Sequence, residues 1–120
     1  QMLDLLINCA KSNLKKISVN WARDHALTIV MASKGYPGNY QKGQLIKGLE
    51  NLHEQKMVKV FHAGTTSVDG SFFSNGGRVL NITARGDTLQ VAHNRAYNAI
   101  KTIEWPEGYY RSDIGWKSLG

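Results

Sequence analysis

The sequence predicts an α+β domain built on an antiparallel sheet, with one amphipathic helix packed against that sheet. Short strand-like runs are separated by glycine-containing turns, and the chain has twelve glycines among its 120 residues. In order, the elements are a helix, a strand, a loop, a short helix, a strand, a hairpin and a helix. Parallel α/β units need strands and helices in regular alternation with longer crossovers, so we expect an antiparallel arrangement.

The first segment reads as a helix. Apolar residues recur at three- and four-residue steps from Leu3 to Leu14, which predicts one buried face and an end near residues 12–13. Cys9 lies in this stretch, and we interpret it as an inert thiol in the core. No capping residue precedes the helix, so we expect the chain to be a fragment that starts inside one.

The middle of the chain predicts strands and a loop. Residues 26–32 are nearly all apolar, which predicts a strand covered on both faces, with a start as early as residue 21. The loop at 35–40 contains Gly-Tyr-Pro-Gly, which regular structure does not accommodate. Leucines at 45, 49 and 52 predict a short helix, and residues 57–62 predict another strand.

A hairpin and a helix follow. Asn-Gly-Gly at 75–77 separates strand-like runs at 71–74 and 78–84, and Asn-Gly in such a place is a strong hairpin signal. Asp87 and Gln90 have the spacing of a capping box, which predicts a helix over 88–103. Its buried stripe is expected to be Leu89, Ala92, Ala96, Ile100 and Ile103.

Composition limits the kind of protein. One cysteine, no apolar run of membrane-spanning length and no signal peptide favour a cytoplasmic protein that is not bound to a membrane. The net charge of +6 suits either nucleic acid or a small anion. Because the basic residues are dispersed from Lys11 to Lys117, we favour one anion site and expect no nucleic acid. The spacing of the four histidines fits no metal site.

Four segments together resemble one family. They are residues 35–46, 60–65, 76–84 and 110–115, which contain Gly-Tyr-Pro-Gly-Asn-Tyr, Val-Phe-His-Ala-Gly-Thr, Gly-Gly-Arg-Val-Leu-Asn-Ile-Thr-Ala and Tyr-Arg-Ser-Asp-Ile-Gly. Their order and spacing are similar to the C-terminal domain of glycinamide ribonucleotide synthetases, the phosphoribosylamine–glycine ligases. The resemblance implies a rudimentary single-hybrid-like fold at 17–120. It also implies that residues 1–16 are the terminal helix of an ATP-grasp portion.

The resemblance implies an activity for the intact protein. ATP-grasp ligases of this family join glycine to 5-phosphoribosylamine in purine biosynthesis, with ATP and Mg²⁺, through a glycyl phosphate. The family's magnesium-binding signature, Arg-Phe-Gly-Asp-Pro-Glu, does not occur in this sequence. We therefore expect no catalytic residue, no metal and no bound cofactor on this chain. Its expected partners are an N-terminal domain, the ATP-grasp domains and the two substrates.

Six residues are candidates for a functional role. Gly77 and Arg78 suit a phosphate, because glycine allows close backbone approach and arginine donates two charge-assisted hydrogen bonds. His62 and Thr65 end a predicted strand and are weaker candidates for substrate contact. Arg111 and Asp113 are two residues apart near the C-terminal end, which predicts a structural clasp. The candidates are Gly77, Arg78, His62 and Thr65 for substrate, and Arg111 and Asp113 for the clasp.

Alternatives remain at this point. Arg78 has the simpler interpretation of a solvated turn residue, and His62 that of a satisfied polar group in the core. We interpret the tryptophans at 21, 105 and 116 as core or edge-packing residues, and Tyr36 and Tyr40 as shaping a loop against the missing domains. For the whole chain, the alternatives are a stand-alone basic module that binds RNA or another polyanion, and a structural adaptor without a ligand.

Overall fold

A computed structural model describes residues 1–119 of the chain. Within that range the chain forms three α-helices, seven strands and short 3₁₀ turns at Leu14–Lys16 and Trp116–Ser118. The helices are α1 (Met2–Ala10), α2 (Glu50–His53) and α3 (Leu89–Lys101). The strands are β1 (His25–Ser33), β2 (Leu45–Ile46), β3 (Val58–His62), β4 (Thr65–Val68), β5 (Ser71–Ser74), β6 (Arg78–Gly86) and β7 (Gly108–Tyr109).

The strands form two antiparallel sheets. The larger sheet has the order β3-β6-β1-β7, and the smaller one has the order β2-β5-β4. All of the strand pairs in both sheets are antiparallel, so the predicted α+β class with an antiparallel sheet is confirmed. No helix within residues 1–119 combines the length and the apolar character that crossing a membrane requires.

Helix α3 covers one face of the larger sheet. It lies over β6 and β1, and small side chains allow the close approach, since Ala84, Ala92 and Ala96 are fully buried. The predicted stripe is confirmed for its alanines and isoleucines, while Leu89 is partly buried against the core. Most of the buried area in this layer is aliphatic, which is the main source of folding free energy.

The opposite face of the larger sheet is open. Thr28 and Val30 of β1 are exposed, whereas Leu27, Ile29 and Met31 face α3. The prediction that β1 is covered on both faces is therefore wrong, because only one layer of helix packs on this sheet. The open face, as we call it, also carries Phe61, which is half exposed.

A β-bulge interrupts β6. Met31 of β1 pairs with Leu80, but the next residue, Ala32, pairs with Arg78, so Val79 has no partner of its own in the register. Val79 and Leu80 are both fully buried in the core. Because one extra residue reverses the alternation of side chains, Arg78 lies on the open face beside Asn81 and not in the core.

The predicted hairpin is wrong. The strands on either side of residues 75–77 are β5 and β6, which belong to different sheets. The hairpin joins β4 to β5 instead, at Asp69 and Gly70, whose φ angles of 49° and 80° are those that a type I′ turn requires. Asp-Gly is as clear a signal as Asn-Gly, and the sequence contains both.

The predicted ends of several elements also differ from the structure. Thr88, not Asp87, caps α3: its hydroxyl accepts a hydrogen bond from the Val91 amide at 3.2 Å. Gln90 makes no capping box, since its amide donates to Asn94. Residues 45–52 are not one helix but a two-residue strand followed by the single turn of α2, and β1 starts at His25.

Helix α1 does not bury its apolar stripe. The helix ends at Ala10. None of its side chains is buried by other residues in the range 1–119. Cys9 is exposed, so its interpretation as a core thiol is wrong. Of the tryptophans, only Trp105 is buried, while Trp21 and Trp116 are 87% and 59% exposed. Periodicity identifies an apolar face but not the surface that covers it.

The close contact of α3 with the sheet predicts the effect of one substitution. Ala96→Leu inserts three carbon atoms where no space exists, and we expect it to lower the free energy of unfolding by about 1–3 kcal/mol. Urea denaturation of the chain measures this. The matched control is Asn98→Leu, on the exposed side of the same helix, which should change the value by less than about 0.5 kcal/mol. Equal effects would contradict the packing described here.

Candidate functional site

The β3–β4 and β5–β6 connections cross each other at glycine residues, close to Arg78 in the fold. The link between β3 and β4 passes over the link between β5 and β6, where the Gly64 amide donates to the Arg78 carbonyl at 3.0 Å and the Asn75 amide donates to the Gly64 carbonyl at 2.7 Å. A Cβ at Gly64 would lie 2.8 Å from the Cα of Gly76. Only glycine allows two backbones to approach this closely.

The end of β1 and the loop after it fix the same segment from another side. The Ser33 amide donates to the Gly77 carbonyl, and the Ser33 hydroxyl donates to the Gly76 carbonyl, both at 2.8 Å. The ring of Tyr36 lies directly on Gly77, where a Cβ would overlap it. The backbone that leads into Arg78 is therefore held by several independent contacts.

Arg78 lies between two concavities on the open face. One is about 500 Å³ and is lined by Val30, Tyr36, Ala63, Gly77, Arg78 and Asn81. The other is about 300 Å³ and mainly apolar, and Arg78 shares it with Val30, Tyr36 and residues of the C-terminal tail. None of the ion pairs formed among residues 1–119 includes Arg78. Its guanidinium donors are therefore available to an anion.

His62 and Thr65 lie elsewhere. His62 pairs with Leu80 across the sheet, on the side that faces α3, and its ring packs on Phe72 with the centroids 4.6 Å apart. Its Nδ1 lies 3.0 Å from the Thr65 hydroxyl. Burial, with a smaller contribution from the charge of His53, lowers the pKa of His62 below 6.5. The structure thus brings His62 to Thr65, but places neither in the concavities of Arg78.

Arg111 and Asp113 form a bidentate ion pair in the tail. The Arg111 Nε and Nη2 donate to the two carboxylate oxygens at 2.8 and 2.7 Å. This hydrogen bonding lowers the pKa of Asp113 and raises the pKa of Arg111. Tyr97 of α3 holds the same turn, because its hydroxyl donates to the Arg111 carbonyl at 2.7 Å and accepts from the Ile114 amide at 3.1 Å.

Some residues of the site were not predicted from the sequence. Val30 and Asn81 line the larger concavity only because the sheet leaves one face open, which the apolar character of β1 does not reveal. Tyr97 lies beside the buried stripe of α3, and its role depends on where the tail returns. Within residues 1–119 no three histidine, cysteine or acidic side chains lie close enough to hold a metal ion. The guanidinium of Arg78, which forms no ion pair within residues 1–119 and lies beside two concavities, is instead suited to binding an anion.

Comparison with known proteins identifies the family. Residues 26–117 match the family model described as phosphoribosylglycinamide synthetase, C domain. The chain is 51% identical over 115 residues to a phosphoribosylamine–glycine ligase of Brucella melitensis, covering 95% of this chain and 27% of that protein. It is 47% identical over 117 residues to a chloroplastic one of Arabidopsis thaliana, covering 96% of this chain and 22% of that protein.

A solved structure agrees with this match. The crystal structure of phosphoribosylamine–glycine ligase from Thermotoga maritima superimposes with a TM-score of 0.70 at 27% identity, covering 90% of this chain and 27% of that one. The chain thus spans about a quarter of the length of the proteins that it matches. The resemblance seen in the four motifs is confirmed, and the chain belongs to the family of the phosphoribosylglycinamide synthetase C domain.

Proposed function

We propose that this chain is the C-terminal domain of an ATP-dependent ligase that joins glycine to 5-phosphoribosylamine. The product is glycinamide ribonucleotide, formed with ADP and phosphate in purine biosynthesis. The observation that carries the proposal is the family match over residues 26–117, supported by relatives named for this ligase at 51% and 47% identity. These matches favour the ligase over a stand-alone module for RNA or another polyanion, and over an adaptor.

Within that ligase, we assign Arg78 to the 5-phosphate of phosphoribosylamine. The guanidinium is exposed at the edge of two concavities and forms no ion pair with residues 1–119. The Gly64 amide donates to the Arg78 carbonyl and the Ser33 amide donates to the carbonyl of the preceding residue, Gly77, so the side chain starts from a fixed point. An arginine with unpaired donors can bind a phosphate through two parallel hydrogen bonds. Because its backbone is already fixed, it loses little conformational entropy when the phosphate binds.

The chemistry of ATP belongs to other domains in this proposal. ATP and Mg²⁺ are the cofactors of the intact ligase, but the described residues contain no cluster that fits a magnesium ion. The partners are then the N-terminal and ATP-grasp domains and the substrates glycine and 5-phosphoribosylamine. The cytoplasm is the proposed location.

The exposed apolar surfaces agree with such partners. Residues 1–16 are proposed as the terminal helix of the ATP-grasp portion and 17–120 as the C-terminal domain. In α1, Met2, Leu3 and Leu6 are 60% exposed or more, which is costly for a surface that stays in water. We propose that α1 packs against the ATP-grasp portion and that the open face closes over the substrate cleft.

We propose a supporting role for His62 and Thr65. Their hydrogen bond spans the end of β3 and the start of β4, on either side of Gly64. The pair therefore stabilises the crossing of the two glycine connections that leads to Arg78.

The phosphate assignment predicts the kinetics of one variant. In the full-length ligase, Arg78→Ala removes hydrogen bonds from a charged donor, so the KM for 5-phosphoribosylamine should rise roughly 10- to 100-fold. The KM values for ATP and glycine should change little. Arg85→Ala is the matched control, because Arg85 lies on the same strand and face but pairs with Asp24 at 2.8 Å. An Arg78→Ala enzyme with normal kinetics would remove the assignment.

The lowered pKa of His62 predicts how stability depends on pH. Since the folded state binds the proton more weakly than the unfolded state does, protonation below pH 6.5 favours unfolding. Stability should fall as the pH drops through 6.5, and His62→Asn should make that fall smaller. Thermal unfolding of both proteins on either side of this pH measures it. Identical pH profiles, or a large increase in KM for 5-phosphoribosylamine in His62→Asn, would contradict the supporting role.

A further inference from the structure

The tail after α3 brings a second arginine into a concavity that Arg78 also lines. Strand β7 pairs with the end of β1, where Tyr109 lies opposite Ala32, so the tail continues along the edge of the larger sheet beside β1. As a result, Arg78 and Arg111 line the same concavity of about 300 Å³. The two residues are 33 positions apart in the sequence, and only the return of the tail brings them together.

The ion pair between Arg111 and Asp113 orients the Arg111 guanidinium but does not attach the tail to the rest of the domain. The partners are two residues apart in one turn and are 62% and 48% exposed, so their bond joins the tail only to itself. Tyr97 attaches the turn to the body of the domain through its two backbone hydrogen bonds. The carboxylate uses the Nε and one Nη2 donor, which leaves the Nη1 edge of Arg111 able to donate.

We propose that Arg78 and Arg111 form one two-arginine site for the phosphate monoester of the ribosyl substrate. Asp113 and Tyr97 act as its positioning residues. The inference rests on the proposed function, and it adds a second phosphate ligand and the turn that holds it.

The lining of the concavity fits a sugar phosphate. A phosphate dianion has three oxygens that accept hydrogen bonds, so two guanidinium groups can bind it from two sides. The apolar side chains of Val30, Ala32 and Ile114 belong to the lining of the same concavity. Apolar surroundings strengthen the charge-assisted hydrogen bonds and offer a surface to the carbon face of a ribose. A polyanion would instead need a row of cationic side chains along a surface. Among the residues that the structure describes, only two cationic side chains line this concavity, Arg78 and Arg111.

The test uses the full-length ligase and the conservative variant Arg111→Lys. Lysine keeps the charge but loses the paired geometry with Asp113, so the KM for 5-phosphoribosylamine should rise about 10-fold or more. The KM values for ATP and glycine should stay within about twofold of the parent. Asp113→Asn should have a smaller effect of the same kind. Arg85→Lys is the matched control, because Arg85 also pairs with a carboxylate and lies on the same face, and this variant should behave like the parent.

Ribose 5-phosphate and ribose separate a phosphate site from a purely structural turn. As a competitive inhibitor, ribose 5-phosphate should bind Arg111→Lys about 10-fold more weakly, while any inhibition by ribose should be unchanged. A structural clasp alone predicts a lower Tm for Arg111→Lys, with an unchanged KM and an unchanged inhibition constant. That result would overturn the proposal.

The double variant Arg78→Ala/Arg111→Lys separates this inference from the assignment of Arg78. If both residues bind one phosphate, the second substitution should raise the KM by less in the Arg78→Ala background than in the parent. An effect of Arg78→Ala without any effect of Arg111→Lys would leave Arg78 as the phosphate ligand and overturn the two-arginine site. Normal kinetics of Arg78→Ala would overturn both.

Discussion

The extra residue in β6 determines which side chains the open face presents. With Val79 inserted between the pairs Met31–Leu80 and Ala32–Arg78, two successive residues are buried in the core and Arg78 lies on the open face. Regular alternation would direct the guanidinium into an aliphatic layer, where an unpaired charge costs several kcal/mol, and arginine cannot lose its proton to avoid that cost. Bulges commonly re-aim one side chain in this way. The position of the candidate site therefore depends on the β-bulge where β6 pairs with β1.

The rest of the domain supports that arrangement. The alanines of α3 let the helix lie close to β6 and β1, so this face of the sheet is buried. The opposite face is the open face. The glycine crossing and Tyr36 hold the backbone before the bulge. Tyr97 connects the buried helix with the returning tail and so links the core to Arg111. Packing on one side of the sheet thus fixes the position of charged groups on the other.

Sequence patterns predicted the elements better than their partners. The stripe of α3 and the strand character of β1 and β6 follow from local periodicity, which one segment contains by itself. The bulge and the open face depend on which strand pairs with which, and no single segment shows that. Asn75-Gly76 and Asp69-Gly70 both signal hairpins, and the strand pairing shows that the second one forms it. Arg78 was proposed from its chemistry together with the family resemblance, whereas the concavity that it shares with Arg111 could not be predicted before the tail was placed.

Cysteine scanning across the bulge tests this account most directly. In a Cys9→Ser background, which removes the exposed native thiol, residues 78 to 81 are replaced one at a time by cysteine and labelled with a water-soluble disulfide reagent. The bulge predicts rapid labelling at 78, protection at both 79 and 80, and measurable labelling again at 81. Strict alternation, with 79 labelled as readily as 81 and with 78 protected, would contradict the placement of Arg78 on the open face.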